Sequence, residues 1–172
     1  MMRPCIFFLV SALPLVGSCT QPRETYQQAE VRMENAQPCF SINDTHEART
    51  SPPEIASVTV RKHGSSQSDI VWGVDLTAAT PHFRLAPDQC IRYAAEIPDA
   101  IEVKAPEPLK IGEHYSVSIN AFIESPQGKP DEIQNRRYLR DFCLSRSANA
   151  SLEAIFVPRR SGKPAWEVCP TG

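Results

Sequence analysis

The sequence predicts an all-β fold, a single antiparallel β-sandwich, and two observations carry that expectation. Apolar and polar residues alternate at period two in six separate runs, as strands with one buried face require. The prolines, 16 in all, fall mainly between those runs, at Pro52-Pro53, Pro81, Pro87, Pro98, Pro106, Pro108, Pro126, Pro130, Pro158 and Pro164. A residue with no amide hydrogen breaks helices and central strands alike, so there it punctuates the strands. No window of about eleven residues carries a helical apolar face. Short antiparallel strands in a chain of this size pack as two sheets.

The N-terminus is of a different kind. Met1-Met2-Arg3 precedes an apolar stretch from Cys5 to Val16, followed by Gly17-Ser18-Cys19. A positive start, an apolar core of about twelve residues and small residues before a cut mark an exported signal. That core is short of the roughly twenty residues a spanning helix needs. The run Val16-Gly17-Ser18-Cys19 resembles the lipobox of bacterial lipoproteins, in which the cysteine becomes the acylated first residue of the mature chain. The resemblance implies palmitate-type acylation at Cys19. The expected organisation is a lipoprotein signal peptide over 1–18, a lipidated polar tether over 19–28 and one domain over 29–172. Thr20 follows Cys19; lipoproteins retained at the inner membrane commonly carry Asp there, so the resemblance implies the outer membrane, facing the periplasm of a Gram-negative cell.

The strands follow in order. Val58 and Val60 form the first alternating set, and Ile70, Trp72 and Val74 the second. Tyr115, Val117, Ile119 and Ala121 form the clearest, with Ser116, Ser118 and Asn120 on the opposite face. Tyr138, Arg140 and Phe142 alternate with Leu139, Asp141 and Cys143. Leu152, Ala154 and Phe156 come next, and Trp166 with Val168 closes the series. Segments 40–56 and 123–135 read as long loops. Leu109, Gly112 and Tyr115 have the spacing of the tyrosine corner in Ig-like and fibronectin-like sandwiches, where the tyrosine hydroxyl bonds back to the corner backbone. The predicted sandwich is therefore Ig-like.

Six cysteines sort into three groups. Cys5 leaves with the signal, Cys19 takes lipid, and Cys39, Cys90, Cys143 and Cys169 remain. An even count in an exported chain reads as two disulfides, with three pairings open to the sequence. The favoured one is Cys39–Cys90 with Cys143–Cys169, since the second pair closes a short local loop. No two of the four have metal-hook spacing.

Charge and motifs narrow the function. Beyond residue 18 the chain holds 17 basic and 20 acidic residues, a net charge that argues against nucleic acid and against a polybasic membrane surface. Membrane contact is expected from lipid alone. His46, His63, His82 and His114 are isolated, with no metal-binding spacing, and no nucleophile elbow or phosphate loop occurs. The expectation is no metal, no cofactor and no enzymatic activity. Asp99, Glu102 and Glu107 read as a solvated face, and Trp72 and Trp166 as core. Arg136, Arg137 and Arg140, with Arg159, Arg160 and Lys163, make a candidate basic patch for an acidic partner, or a charged edge that discourages aggregation.

In its order of features the chain resembles a group of bacterial lipoproteins described as type VI secretion immunity proteins. The residues concerned are the lipobox and tether, Asn35-Ala36-Gln37-Pro38-Cys39-Phe40-Ser41-Ile42, the Val58/Val60 and Trp72 strands, and Cys90-Ile91-Arg92-Tyr93. The strand introduced by Leu109, Gly112 and Tyr115 follows, then Tyr138 with Asp141-Phe142-Cys143-Leu144. The resemblance covers most of 28–145. It implies a lipid-anchored protein that binds and neutralises a toxin delivered by neighbouring cells. The alternative is a structural or assembly lipoprotein of the envelope or a secretion apparatus.

Overall fold

Nine strands form one mixed sheet in the computed structural model, which describes residues 25–64, 68–79, 82–124 and 133–170. The signal segment 1–18 with Cys5, the lipidation candidate Cys19 and residues 20–24 lie outside the described residues. In chain order the elements are β1 (Thr25–Glu34), β2 (Gln37–Ile42), a one-turn helix α1 (His46–Thr50), β3 (Glu54–His63), β4 (Ser68–Asp75), β5 (Ile91–Arg92), β6 (Ile101–Lys104), β7 (His114–Glu124), β8 (Ile133–Arg146) and β9 (Leu152–Phe156). A small hairpin, β10 (Arg159–Arg160) and β11 (Lys163–Pro164), and a 3-10 turn at Trp166–Val168 complete the chain. The sheet order is β5-β2-β1-β8-β7-β3-β4-β6, with β9 also on β8.

The long strand β8 organises this order. β7 runs antiparallel along one edge, from His114↔Cys143 to Glu124↔Ile133. The other edge is shared: β1 lies parallel to it at Arg136–Leu139, and β9 antiparallel at Phe142–Arg146. β1 is divided in the same way, with Thr25–Gln28 on β8 and Ala29–Glu34 on β2. The sheet therefore turns at β1 and curls over itself. Phe40 of β2 stacks on Trp72 of β4 (ring centroids 6.3 Å) and meets Phe142 of β8 (5.9 Å), although neither strand is β2's ladder neighbour. Tyr93 and Tyr115 extend this aromatic chain.

The period-two reading sets the core. Val58, Val60, Tyr115, Val117, Ile119, Ala121, Tyr138 and Phe142 are all buried. Two disulfides brace it: Cys39–Cys90 ties β2 to the residue before β5, and Cys143–Cys169 ties β8 to the C-terminal segment, with Cα separations of 5.5 and 6.1 Å.

Several expectations need correction. The sheet is not wholly antiparallel, because β1 and β8 pair in parallel. Thr25–Gln28, read as tether, are in strand, because β8's open edge offers them backbone partners. The segment 40–56 is not all loop. It holds the end of β2 and then α1, which Thr45 caps by accepting from the Ala48 amide at 3.1 Å. Trp166 and Val168 are not a strand; Trp166–Val168 is a 3-10 turn in which the Val168 amide donates to Ala165 and the Cys169 amide to Trp166, at 3.3 and 3.0 Å.

Candidate functional site

The corner residues serve the scaffold. Gly112 takes φ 76° and donates its amide to the Leu144 carbonyl at 3.0 Å. That turn lets the Tyr115 hydroxyl accept from the Lys110 amide and donate to Glu113, both at 2.9 Å. Burial pushes the Tyr115 phenol far above its ordinary value. Lys62 lies 2.7 Å from Glu113 and, as its main hydrogen-bond donor, holds that carboxyl below the usual range. Leu109 packs against the main core.

The six basic residues do not form one patch. Successive strand residues point to opposite faces, so Arg137 is separated from Arg136 and Arg140. Arg136 pairs with Glu47 of α1 through two hydrogen bonds, at 2.8 and 3.2 Å, and hydrogen bonding to it lowers the Glu47 carboxyl. Arg159 reaches back to the buried Asp141 at 2.6 Å. Arg160 pairs with Glu167 at 3.3 Å and stands opposite Lys163 in the exposed β10–β11 hairpin.

Arg137 and Arg140 behave differently. Each sits against an exposed ring, Arg137 over Tyr26 (5.9 Å) and Arg140 over Phe156 (4.0 Å). Arg137 also donates to Asn120 at 2.8 Å, and Arg140 to Gln28 at 3.2 Å. Between β1 and β9, where both leave β8's edge, lies an open groove of about 580 Å³ lined by Tyr26, Gln28, Arg140, Asp141, Phe156 and Arg159 among others. Burial lowers the Arg140 guanidinium from its ordinary value, with Glu30 and Asp141 opposing.

A second cluster lies under the C-terminal segment. Trp166 stacks flat on His114 (4.4 Å, 8°) and tilts against His63 (5.1 Å). His63 Nε2 is 3.0 Å from Ser116 Oγ. A serine beside an imidazole invites a nucleophile–base reading, but the surroundings do not supply the rest. Ser116 is the third residue of β7, which is laddered on both sides with β3 and β8, so its backbone is committed there rather than to an oxyanion hole. Asp141 spends one oxygen on Arg159, and its other oxygen has no hydrogen-bond partner among the described residues. The cluster instead packs the C-terminal segment onto the sheet, with Cys143–Cys169, Ile155 and Val157 beside it. Trp72 is in the core, whereas Trp166 is half-buried on this outer face. The one grouping of three metal-ligand types among the described residues is Glu34 with Cys39 and Cys90, and both sulfurs belong to the disulfide.

One feature escaped the sequence reading. β6 is the last strand in the sheet order and pairs only with β4 among the described residues. All four of its residues are exposed, Ile101 at 55% and Val103 at 61%. The signal was present as Ile101-Glu102-Val103-Lys104, but with prolines at 98, 106 and 108 around them Asp99, Glu102 and Glu107 read as a solvated face.

No protein-family model, curated protein or solved structure matches this chain.

Proposed function

We propose that this protein is a lipoprotein, anchored through Cys19 to the outer membrane and facing the periplasm, that binds and neutralises a protein toxin delivered by neighbouring cells, without catalysis of its own. The toxin-neutralising role rests on the ordered resemblance set out above. A binding role rests on one observation: β6 carries two exposed apolar side chains on a sheet edge. Such an edge offers backbone donors and acceptors to an added strand, and its side chains supply specificity. Two disulfides support the same role, because a braced surface loses little ordering entropy on binding. We read the curled sheet as an Ig-like sandwich, supported by the Tyr115–Lys110 corner bond and by Phe40 packing across to Trp72.

The test is direct binding of the purified protein to the product of a toxin gene adjacent to its own. The reading expects a tight complex, weakened at least about 100-fold when Ile101→Lys and Val103→Lys are combined, as loss of a central apolar anchor pair does. No complex with the toxin, together with recovery of envelope or secretion machinery, would select the assembly role instead.

A further inference from the structure

We propose that the groove between β1 and β9 is a membrane-surface contact: Tyr26 and Phe156 enter the lipid interface while Arg140 meets an anionic headgroup phosphate. The proposal rests on the reading of Cys19 as lipidated, and three observations carry it.

The first is covalent reach. β1 begins at Thr25, so five residues separate it from Cys19, and six chain steps extend at most about 20 Å. Tyr26 is the next residue and lines the groove. An anchor at Cys19 therefore keeps this end of the sheet close to the headgroups wherever the rest of the domain points.

The second is composition. Tyr26 and Phe156 are 61% and 49% exposed. They flank the groove, with the Arg140 guanidinium over the Phe156 ring; Arg137, over Tyr26, is on the other face of β8. Exposed aromatics beside arginine are the pairing found at the membrane interface, where rings sit at headgroup level and cations meet phosphate.

The third is the distribution of charge partners. Arg136, Arg159 and Arg160 are each satisfied by an internal carboxylate. Arg140 forms no ion pair with the described residues and donates to the neutral Gln28 amide. Glu30 and Asp141 both steady its charge, and Asp141, which lines the same groove, is ion-paired to Arg159 rather than to Arg140. A half-buried cation left over a ring beside the anchor is poised for an anion supplied from outside. The overall negative charge concealed this arrangement, because it is local. An acidic protein partner would need the same cation, but nothing would then require the site to lie within tether reach of the lipid.

The test uses the full mature chain carrying Cys19→Ser, so that no acyl chain contributes, with phosphatidylethanolamine vesicles with and without phosphatidylglycerol. The parent should cosediment with the phosphatidylglycerol vesicles, and less so as salt rises. Arg140→Gln should lower partitioning about fivefold, the usual worth of one arginine at an anionic surface, whereas Arg137→Gln, on the other face of β8, should leave it unchanged. Tyr26→Ser combined with Phe156→Ser should lower it without changing the salt dependence. Circular dichroism verifies that each variant is folded. Failure of the parent to bind, or unchanged binding in Arg140→Gln, overturns the proposal. Loss of toxin binding in Arg140→Gln with vesicle binding intact assigns the groove to a protein partner and overturns it equally. The mass of the chain extracted from envelopes separately reports whether Cys19 is acylated, so failure of the anchor is distinguishable from failure of the groove.

Discussion

His63 carries the most informative charge at the residue scale. Burial beneath Trp166 lowers its pKa, with Asp141 opposing and Arg159, His114 and Arg61 assisting. The unfolded chain titrates this imidazole near 6.5, so just below that pH the unfolded state binds more protons than the folded one. Stability therefore falls as pH drops below about 6.5 and is flat above it for this group. Denaturant midpoints from pH 7.5 to 5 should decline, and the decline should shrink in His63→Gln. Glu47 and Glu113 act at lower pH. Their depressed pKa values, from Arg136 and Lys62, give stability that is present above about 4.5 and lost on further acidification. Tyr115→Phe removes the acceptor for the Lys110 amide and should cost about 1–2 kcal/mol in chemical unfolding. The corner residues were legible because their spacing is local. The partners of the arginines were not, since Glu47 and Arg136 are 89 positions apart and meet only through the fold.

At the scale of elements, the alternating runs in β3, β4, β7 and β8 were legible because one buried face imposes period two. β2 and β5 were not, since β2 is buried on nearly every residue and β5 has only two. The β1–β2 turn shows a different limit. Asn35 and Ala36 both take positive φ, 51° and 62°, as a two-residue hairpin turn with the twist of its strands demands. Asn tolerates that region; Ala pays for its Cβ. Ala36→Gly should raise stability by up to about 1 kcal/mol in urea unfolding. The C-terminal segment makes the opposite prediction. Cys143–Cys169 closes a 26-residue separation, and opening such a loop costs about 3–4 kcal/mol. Cys143→Ala with Cys169→Ala should lose that stability and expose Trp166, read as a red shift in its fluorescence, while β1–β8 persist. Alternation alone could not distinguish Trp166–Val168 from a strand, because two apolar residues do not fix a period.

Considered whole, the sheet order runs from β5 to β6, with β1 third from the β5 end. The chain leaves toward Cys19 from β1, at the edge β8 shares with β9, and β6 lies five ladder steps beyond β1. At roughly 4.8 Å per step that is about 24 Å along the curled sheet. The curl shortens that path in space, since Phe40 of β2 packs on Trp72 of β4, the ladder neighbour of β6. Composition and spacing gave the all-β class, the disulfide pairs and the core; they missed the parallel β1–β8 pairing and the β6 edge, which arise from long-range register rather than local pattern.

The central claim is that the protein protects the cell by binding a delivered toxin through β6. Its most direct test is survival of a deletion strain in competition with toxin-delivering sister cells. The account predicts loss of survival, rescue by the wild-type gene, and no rescue by Ile101→Lys/Val103→Lys at equal folded abundance. Full survival of the deletion strain, or full rescue by that variant, would contradict it.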